Sequence, residues 1–384
     1  MQRQSLARAR CLVVKVGTGT LTGADGRFDR DNCERLAAEI AAAARSRRLV
    51  LVSSGAIALG AERLGLGLGR TGKPWDIATK QAAAAVGQPH LMAEWGRALG
   101  AHGLQTAQVL LTAEDLASRK RFLNARRTFS RLLERRVVPV VNENDTVAVD
   151  EIKVGDNDSL AALVASCVEA ELVAMLTDVD GLYDRDPRQA GARLLHEVPR
   201  VTAEVERVAG GAGSDRSIGG MVTKLKAARR LAAHGVATAL LSGRRPGALG
   251  GLLAGERVGT FFPPAAERLP ARKGWLAVAA KGKGTILVDA GARRALVTQG
   301  RSLLPSGVRS VAGHFGVGDP VDIAVERGRP FARGLAGYGA DEVRRIAGLK
   351  TGEIEGALGY KYLDEVVHRN DLVLLDTAHD ESAR

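Results

Sequence analysis

The sequence predicts an α/β protein with a mostly parallel sheet covered by helices on both faces, followed by a small β-rich domain. Across residues 11–262, short apolar strands alternate with helical patterns, an order typical of a three-layer α/β/α sandwich. After a proline-rich stretch at 262–270, the pattern changes to short strands between glycines. We therefore predict a larger domain at 9–262, a linker at 263–273 and a β-rich domain at 274–376.

The strands of the larger domain are predicted from apolar runs, most of which end in glycine or polar residues. These runs lie at 12–16, 49–52, 104–111, 137–141, 172–177 and 236–241. Helical patterns at 32–44, 77–99, 121–135 and 221–234 separate most of them. Pro89 falls inside the second helical pattern and predicts a break there, because proline cannot donate a backbone hydrogen bond.

The β-rich domain is predicted from shorter segments. Strand patterns occur at 275–278, 284–288, 308–311, 320–325 and 331–335, and helical patterns only at 290–298 and 341–347. A domain of this length is within the usual size range.

Composition indicates a globular protein. The chain has 384 residues, of which 45% are hydrophobic, but no apolar run is long enough to span a membrane. The basic N-terminus leads into an apolar run too short for a signal-peptide core, so we expect a soluble cytoplasmic protein. The three cysteines lack the spacing of a zinc site or a disulfide framework.

The net charge of +12 raises the hypothesis of a nucleic-acid partner. Residues 263–384 hold 18 Lys and Arg against 15 Asp and Glu, so most of the surplus lies in the larger domain. The basic runs there fall on predicted helices, where charged residues usually form solvated faces. The charge therefore gives little support to nucleic-acid binding.

Two polar runs are the most informative segments. Asn-Glu-Asn-Asp at 142–145 follows a buried strand, and Gly-Asp-Asn-Asp at 155–158 precedes a helix predicted to begin at residue 159. Polar residues at the carboxyl end of a buried strand line the crevice where open α/β sheets bind ligands. For either run alone, ordinary turn formation and helix capping remain an alternative interpretation. Both runs together, with the lysines below, are hard to explain by capping.

Two lysines lie beside glycines in the larger domain. Lys15 ends the first strand just before Gly17, and Lys224 follows Gly219-Gly220, which we expect to form a turn entering a helix at 221. Ser54 precedes a similar glycine after the second strand. Glycines let backbone N–H groups approach a phosphate, and helix N-termini bind anions. A solvated edge lysine and a simple turn are the alternatives for each motif alone.

Together, these residue types indicate phosphoryl transfer to a small substrate. Two lysines can neutralise the charge of a transferring phosphoryl group, and an aspartate can hold them in place. The acids and amides can bind the substrate's amino group. The segment 67–74 nearly matches a P-loop, but proline replaces the residue that would reach magnesium. No Ser-His-Asp order and no HxxxH pair is evident.

With these motifs, the chain resembles the amino acid kinase family, in particular its glutamate-phosphorylating members with a C-terminal PUA domain. The matching segments are VVKVGT at 13–18, SSGAI at 53–57, RFLNAR at 121–126, VNEND at 141–145, IKVGDND at 152–158, LTD at 176–178, GLY at 181–183 and GGMVTK at 219–224. Glu-Asn-Asp at 143–145 followed by Asp-Asn-Asp at 156–158 is the most specific part. The resemblance implies the amino acid kinase fold and a PUA-like second domain.

The resemblance also implies a reaction and a role for each matching residue. ATP would phosphorylate the γ-carboxylate of L-glutamate to give γ-glutamyl phosphate and ADP, the first step of proline synthesis. Lys15 and Lys224 would stabilise the transferring phosphoryl group, and Asp158 would orient both lysines. Glutamate would be bound by Ser54, Asp145 and Asn157. ATP would be bound by Lys15, Thr177, Asp178, Ile218, Gly219, Gly220, Met221, Val222, Thr223 and Lys224.

Further expectations come from the resemblance alone. Mg²⁺ would accompany the nucleotide, with no metal-binding residue assigned in the protein. Proline would act as feedback inhibitor, and the chain would form a homo-oligomer, often a tetramer. One departure is visible, because Ser217 and Ile218 replace the usual Gly-Thr before the Gly-Gly-Met motif, and isoleucine offers no hydroxyl to a phosphate.

Two alternative functions remain at this point. The first is another kinase of the same family that acts on a related small acid, such as aspartate or acetylglutamate. The second is an RNA-binding or RNA-modifying protein, because segments 303–307 and 317–321 resemble PUA elements and PUA domains occur in such proteins. The second domain's small charge surplus gives the RNA hypothesis little electrostatic support.

Overall fold

The structure is a computed structural model that describes residues 2–66, 75–148, 156–210, 215–264, 275–276 and 280–375. The segment that resembles a P-loop, the motif residues 152–155 and all of the predicted linker beyond Pro264 lie outside these ranges. The chain forms two compact units, Met1–Arg268 and Leu269–Arg384.

The first unit is built on a seven-stranded sheet with the order β3-β4-β2-β1-β5-β6-β7. Its strands are β1 Cys11–Val16, β2 Arg48–Ser53, β3 Thr106–Leu111, β4 Val138–Glu143, β5 Leu172–Thr177, β6 Ala237–Ser242 and β7 Thr260–Phe262. All neighbouring pairs are parallel except β6 and β7. The mostly parallel sheet predicted from the sequence is thus confirmed. In the sheet, β2 lies on one side of β1 and β5 lies on the other, so the order of the strands reverses direction at β1. Ligands of open α/β sheets bind at the carboxyl ends of the strands where such a reversal occurs.

Helices pack on both faces of this sheet. They are α1 Thr18–Leu21, α2 Arg30–Ala44, α3 Ala56–Arg63, α4 Ile77–Gly100, α5 Ala113–Ala117, α6 Arg119–Glu134, α7 Asp156–Cys167, α8 Ala203–Gly210, α9 Asp215–Ala232 and α10 Ala248–Leu253. Leu12 and Val14 of β1 share a buried cluster with α2, α3, α4 and α10. Successive strand residues point to opposite faces, and α7 packs against β1, β4 and β5 with α9 beside it. These layers form the three-layer α/β/α sandwich predicted from the sequence.

The helices α3 and α4 pack unusually closely against each other. A Cβ atom on Gly60 of α3 would lie 1.7 Å from the Ala83 carbonyl oxygen, and one on Gly87 of α4 would lie 1.8 Å from the Ala56 carbonyl oxygen. Only glycine fits at these positions, so the two backbones touch and the middle of α4 is held against α3.

Three sequence-based boundaries in this unit were wrong. The helix α4 continues through Pro89 without the predicted break. The helix α7 begins at Asp156, not at 159. The helix α9 begins at Asp215, so Gly219 and Gly220 lie inside it and do not form the predicted entry turn. Glycine costs about 1 kcal/mol in a helix interior, but tertiary packing routinely overrides such preferences.

The second unit contains a five-stranded sheet with the order β12-β11-β10-β8-β9. The strands are β8 Gly284–Val288, β9 Val308–Gly313, β10 Pro320–Val325, β11 Ala332–Leu335 and β12 Leu372–Leu374, and the helices are α11 Ala290–Gln299, α12 Ala340–Ile346 and α13 Ile354–Leu358. The sequence pattern does not reveal β12 or α13. Trp275 and Leu276 are helical, which corrects the predicted strand at these two positions, and residues 277 and 278 lie outside the described ranges.

The helices of the described ranges were compared with the requirements of a membrane-spanning helix. None of the helices there combines the length and the apolar character that a membrane-spanning helix requires.

Candidate active site

A buried aspartate joins two lysines at the carboxyl edge of the sheet. The Nζ atom of Lys15 lies 2.7 Å from Oδ1 of Asp158, and the Nζ atom of Lys224 lies 3.2 Å from Oδ2 of the same carboxylate. Asp158 is fully buried, and Lys15 and Lys224 are only 4% and 8% exposed. The structure thus brings together three residues that are far apart in the sequence.

Each member of this cluster comes from a different element. Lys15 belongs to the central strand β1, Asp158 to the first turn of α7, and Lys224 to α9. A carboxylate in the first turn of a helix is stabilised by the helix dipole. Thr223 supports the cluster, because its hydroxyl lies 2.8 Å from Asp158 Oδ2 and 2.9 Å from the Gly220 carbonyl oxygen.

The environment shifts the pKa values of two of these groups. Burial lowers the pKa of Lys15, and the charge of Lys224 lowers it further, although Asp158 opposes both effects. For Asp158, burial acts to raise the pKa, but Lys15, Lys224 and the hydrogen bond from Thr223 together lower it. Asp158 is therefore the shared anionic partner that permits two ammonium groups to be buried side by side.

A chain of amides and a hydroxyl lies at the same edge of the sheet. Nδ2 of Asn157 donates to Oγ of Ser54 at 2.8 Å and to Oδ1 of Asn142 at 3.0 Å. Nδ2 of Asn142 in turn donates to Oε1 of Gln88 at 2.9 Å. The predicted substrate residues Ser54 and Asn157 are thus in direct contact. Asp145 is half-buried in the turn that follows β4, three residues beyond Asn142.

The glycines after β1 lie against the predicted nucleotide residues. The N–H of Gly17 donates to the Leu176 carbonyl oxygen at 3.1 Å, and a Cβ atom on Gly19 would lie 3.3 Å from Oδ2 of Asp178. Thr177 is buried and donates through its hydroxyl to Oδ1 of the exposed Asp178 at 2.9 Å.

The remaining predicted nucleotide residues lie on α9. Gly220 accepts a hydrogen bond from Nζ of Lys224 at 3.0 Å, and Met221, Val222 and Thr223 are half-buried. Ile218 and Gly219 are described only as helical backbone. These residues therefore lie within the helix, from its fourth residue onward, and not in a turn that enters it.

Two amides of the site have no individual role predicted from the sequence. Asn142 stands in a conspicuous polar run, and only the run as a whole is predicted to bind the substrate's amino group. Gln88 carries no signal in the sequence, because it is a single amide in an alanine-rich helix.

The arrangement suits the transfer of an anionic group. A phosphate placed between the two lysine ammonium groups would meet positive charge that is already oriented and needs no rearrangement during the reaction. The amide chain nearby offers hydrogen-bond donors and acceptors for a small polar molecule. These two chemical environments lie at the ends of β1, β2, β4 and β5, which are adjacent in the sheet.

Comparison with known proteins agrees with this geometry. The model of the amino acid kinase family matches residues 10–241, and the model of the PUA domain matches residues 284–358. The glutamate 5-kinase of Anaeromyxobacter dehalogenans is 77% identical over 99% of this chain and 100% of its own length.

Two further curated relatives cover nearly the whole chain. The glutamate 5-kinase of Myxococcus xanthus is 54% identical over 97% of this chain and 98% of its own length. That of Syntrophotalea carbinolica is 48% identical over 97% of this chain and 100% of its own length. The chain therefore belongs to the amino acid kinase family and, within it, to the glutamate 5-kinases.

Proposed function

We propose that this chain transfers the γ-phosphoryl group of ATP to the γ-carboxylate of L-glutamate, giving γ-glutamyl phosphate and ADP in the first step of proline synthesis. The observation that carries the proposal is the buried Lys15–Asp158–Lys224 cluster beside the contact between Ser54 and Asn157. Membership of the glutamate 5-kinases supports the choice of substrate.

In the proposed step, an oxygen of the γ-carboxylate attacks the γ-phosphorus of ATP. A new P–O bond forms, the bond between this phosphorus and the β,γ-bridging oxygen breaks, and ADP leaves. Attacking and leaving oxygens both carry negative charge, so Lys15 and Lys224 lower the barrier by electrostatic stabilisation. Asp158 does not react and keeps both ammonium groups in place.

The amide chain is proposed to bind the amino acid part of glutamate. Both Nδ2 hydrogens of Asn157 are used by Ser54 and Asn142, and Oδ1 of Asn157 is buried with no hydrogen-bond partner among the described residues. A buried acceptor of this kind suits the substrate's ammonium group. Asp145 supplies a carboxylate for the same ammonium, and the Ser54 hydroxyl, which accepts from Asn157, can donate its hydrogen to a substrate carboxylate.

The nucleotide is proposed to bind along β5 and α9. Thr177, Asp178 and the segment 218–224 hold ATP, with its phosphates toward Lys15 and Lys224. Gly17 and Gly220 lie beside the two lysines, since a Cβ atom on Gly17 would be 3.6 Å from the Lys15 Nζ atom and one on Gly220 would be 3.7 Å from the Lys224 Nζ atom. Mg²⁺ accompanies the nucleotide and is held mainly through its phosphates and water, as is usual for this ion. Among the described residues, no group of three His, Cys, Asp or Glu side chains is placed to hold a metal.

Several properties are proposed from the family resemblance alone. They are a cytoplasmic location, assembly into a homo-oligomer such as a tetramer, feedback inhibition by proline, and a contact between the second unit and RNA. The support for the RNA contact is the match to the PUA domain.

A substrate panel tests the proposed function. Purified protein is given ATP, Mg²⁺ and either L-glutamate, L-aspartate or N-acetyl-L-glutamate, and hydroxylamine traps the acyl phosphate. We expect ADP and hydroxamate in equal amounts with glutamate, at a kcat/KM at least about 100-fold above that for the other acids, because a site built for a polar group rejects analogues that leave it unpaired. A preference for another acid would indicate a different kinase of the family. Absence of ATP-dependent chemistry together with RNA binding would favour the RNA-binding alternative.

Asp145 gives a prediction about substrate affinity. The substitution Asp145→Ala should raise KM for glutamate by about 10-fold or more and leave KM for ATP within about 2-fold, because a charge-assisted hydrogen bond to the ammonium is lost. Steady-state kinetics with each substrate varied in turn measures both constants. The exposed Asp31 provides a control, since Asp31→Ala should change neither. Equal increases in both constants would place Asp145 at the nucleotide or in a structural role.

The first unit alone should be sufficient for the phosphorylation reaction. A chain shortened to residues 1–264 should keep the phosphorylation reaction, because every residue assigned to it precedes residue 225 and the first unit has its own core. Circular dichroism checks folding, and the hydroxamate assay measures activity. A folded but inactive shortened chain would show that the second unit completes the site.

A further inference from the structure

We propose that Gln88 is a positioning residue for substrate recognition, which acts through Asn142 to fix the orientation of the Asn157 amide. The inference rests on the proposed function, because it concerns how the site recognises the amino group of glutamate. Gln88 is distant in sequence from both asparagines, and no motif assigns it a role.

The first step is the placement of Gln88. It lies in the middle of α4, is 8% exposed, and its neighbour Gly87 is in backbone contact with α3. The Gln88 side chain therefore extends from a rigid position. Its Oε1 atom accepts a hydrogen bond from Nδ2 of Asn142 at 2.9 Å.

The second step is the direction of the hydrogen bonds. Because Nδ2 of Asn142 is directed to Gln88, Oδ1 of Asn142 is directed the other way, where it accepts from the Glu143 N–H at 2.9 Å and from Nδ2 of Asn157 at 3.0 Å. An amide is asymmetric, with a donor end and an acceptor end, so fixing one end fixes the other.

The third step is the consequence for Asn157. Its Nδ2 group uses both hydrogens, toward Asn142 and Ser54, so that only Oδ1 remains for a ligand. This atom is buried and has no hydrogen-bond partner among the described residues. A buried acceptor selects a ligand that donates, and an ammonium group donates whereas a methylene group does not. Gln88 thus ensures that the site presents a hydrogen-bond acceptor to the ammonium group of an α-amino acid.

The experiment compares L-glutamate with glutarate, which has both carboxylates but no amino group. KM for glutamate and the competitive inhibition constant of glutarate are measured for the wild-type protein and for Gln88→Met, which removes the acceptor at similar side-chain length. We expect the preference for glutamate to fall by about 10-fold, the effect of losing one hydrogen bond, with KM for ATP within about 2-fold. A general structural defect would weaken both acids equally and leave the preference unchanged, and this result would overturn the inference.

Two further variants keep the test decisive. In an Asn157→Ala background, Gln88→Met should not change the preference further, because the amide that Gln88 is proposed to orient is already missing. An additional 10-fold fall in this background would contradict the inference. If Gln88→Met does not fold, Gln88→Leu is used, which also removes the acceptor for Asn142 and should lower the preference by a similar factor. An unchanged preference in a folded Gln88→Leu protein would overturn the inference. A wild-type protein that does not phosphorylate glutamate would instead refute the proposed function.

Discussion

Replacing Lys224 with methionine should lower kcat for glutamate phosphorylation by about 100-fold or more, because one preorganised positive charge is removed from the transition state. Lys15→Met should have an effect of similar size, since both ammonium groups share the Asp158 carboxylate. KM for glutamate should change much less than kcat. Discontinuous assays of ADP and hydroxamate formation measure kcat and KM, and a melting curve checks that each variant is folded.

The helix α9 supplies a matched control for this prediction. Lys226 lies two residues beyond Lys224 on the same helix but is exposed, so Lys226→Met should keep kcat within about 2-fold. A folded Lys224→Met protein with nearly normal kcat would remove Lys224 from the chemistry.

The substitution Asp158→Asn should destabilise the protein by about 3–5 kcal/mol at pH 7, because two buried ammonium groups would lose their shared counter-charge. Asparagine retains an oxygen that can accept the hydrogen bond from Thr223, so the loss of stability measures mainly the removal of the negative charge. Urea unfolding of wild type and variant measures the difference. An exposed ion pair gives the control, since Asp341→Asn removes a surface partner of Arg344 and should cost less than about 1 kcal/mol.

The stability difference between wild type and Asp158→Asn should depend on pH. The folded state lowers the pKa of Asp158 below its unfolded value of about 3.9, so the folded protein binds fewer protons there. The contribution of Asp158 is therefore fully present above about pH 4 and is lost as the pH falls through the lower folded value. Unfolding at pH 7, 5 and 3 should show a constant difference between the first two values and a smaller one at pH 3. A difference that increases in acid would contradict the charge account.

The central part of the site is predictable from the sequence for a physical reason. A lysine that ends an apolar central strand needs a buried partner, so Lys15 stands out from the residue pattern alone. The polar run that contains Asp158 stands out because acids and an amide come directly before an apolar helical pattern. Lys224 stands out because it follows two glycines, and the structure places its Nζ atom 3.2 Å from the Asp158 carboxylate.

Other parts of the site cannot be predicted from local sequence. Two consecutive glycines usually end a helix, so the residue pattern does not indicate the start of α9 at Asp215, where packing overrides propensity. The bond between Asn142 and Gln88 joins residues 54 positions apart, and nothing near Gln88 indicates it. Such contacts depend on how α4 packs against α2, α3 and β3, which is a property of the whole fold.

The most direct test of the central claim follows one oxygen atom. L-Glutamate with ¹⁸O in its γ-carboxylate is incubated with the protein, ATP, Mg²⁺ and hydroxylamine, and the released phosphate is analysed by mass spectrometry. If the carboxylate attacks the γ-phosphorus, its oxygen bridges carbon and phosphorus, and hydroxylamine then releases phosphate that carries one ¹⁸O atom. We expect nearly every phosphate released in proportion to hydroxamate to carry that label. Unlabelled phosphate, formed at the same rate with or without glutamate, would show that water is the acceptor and would contradict the account.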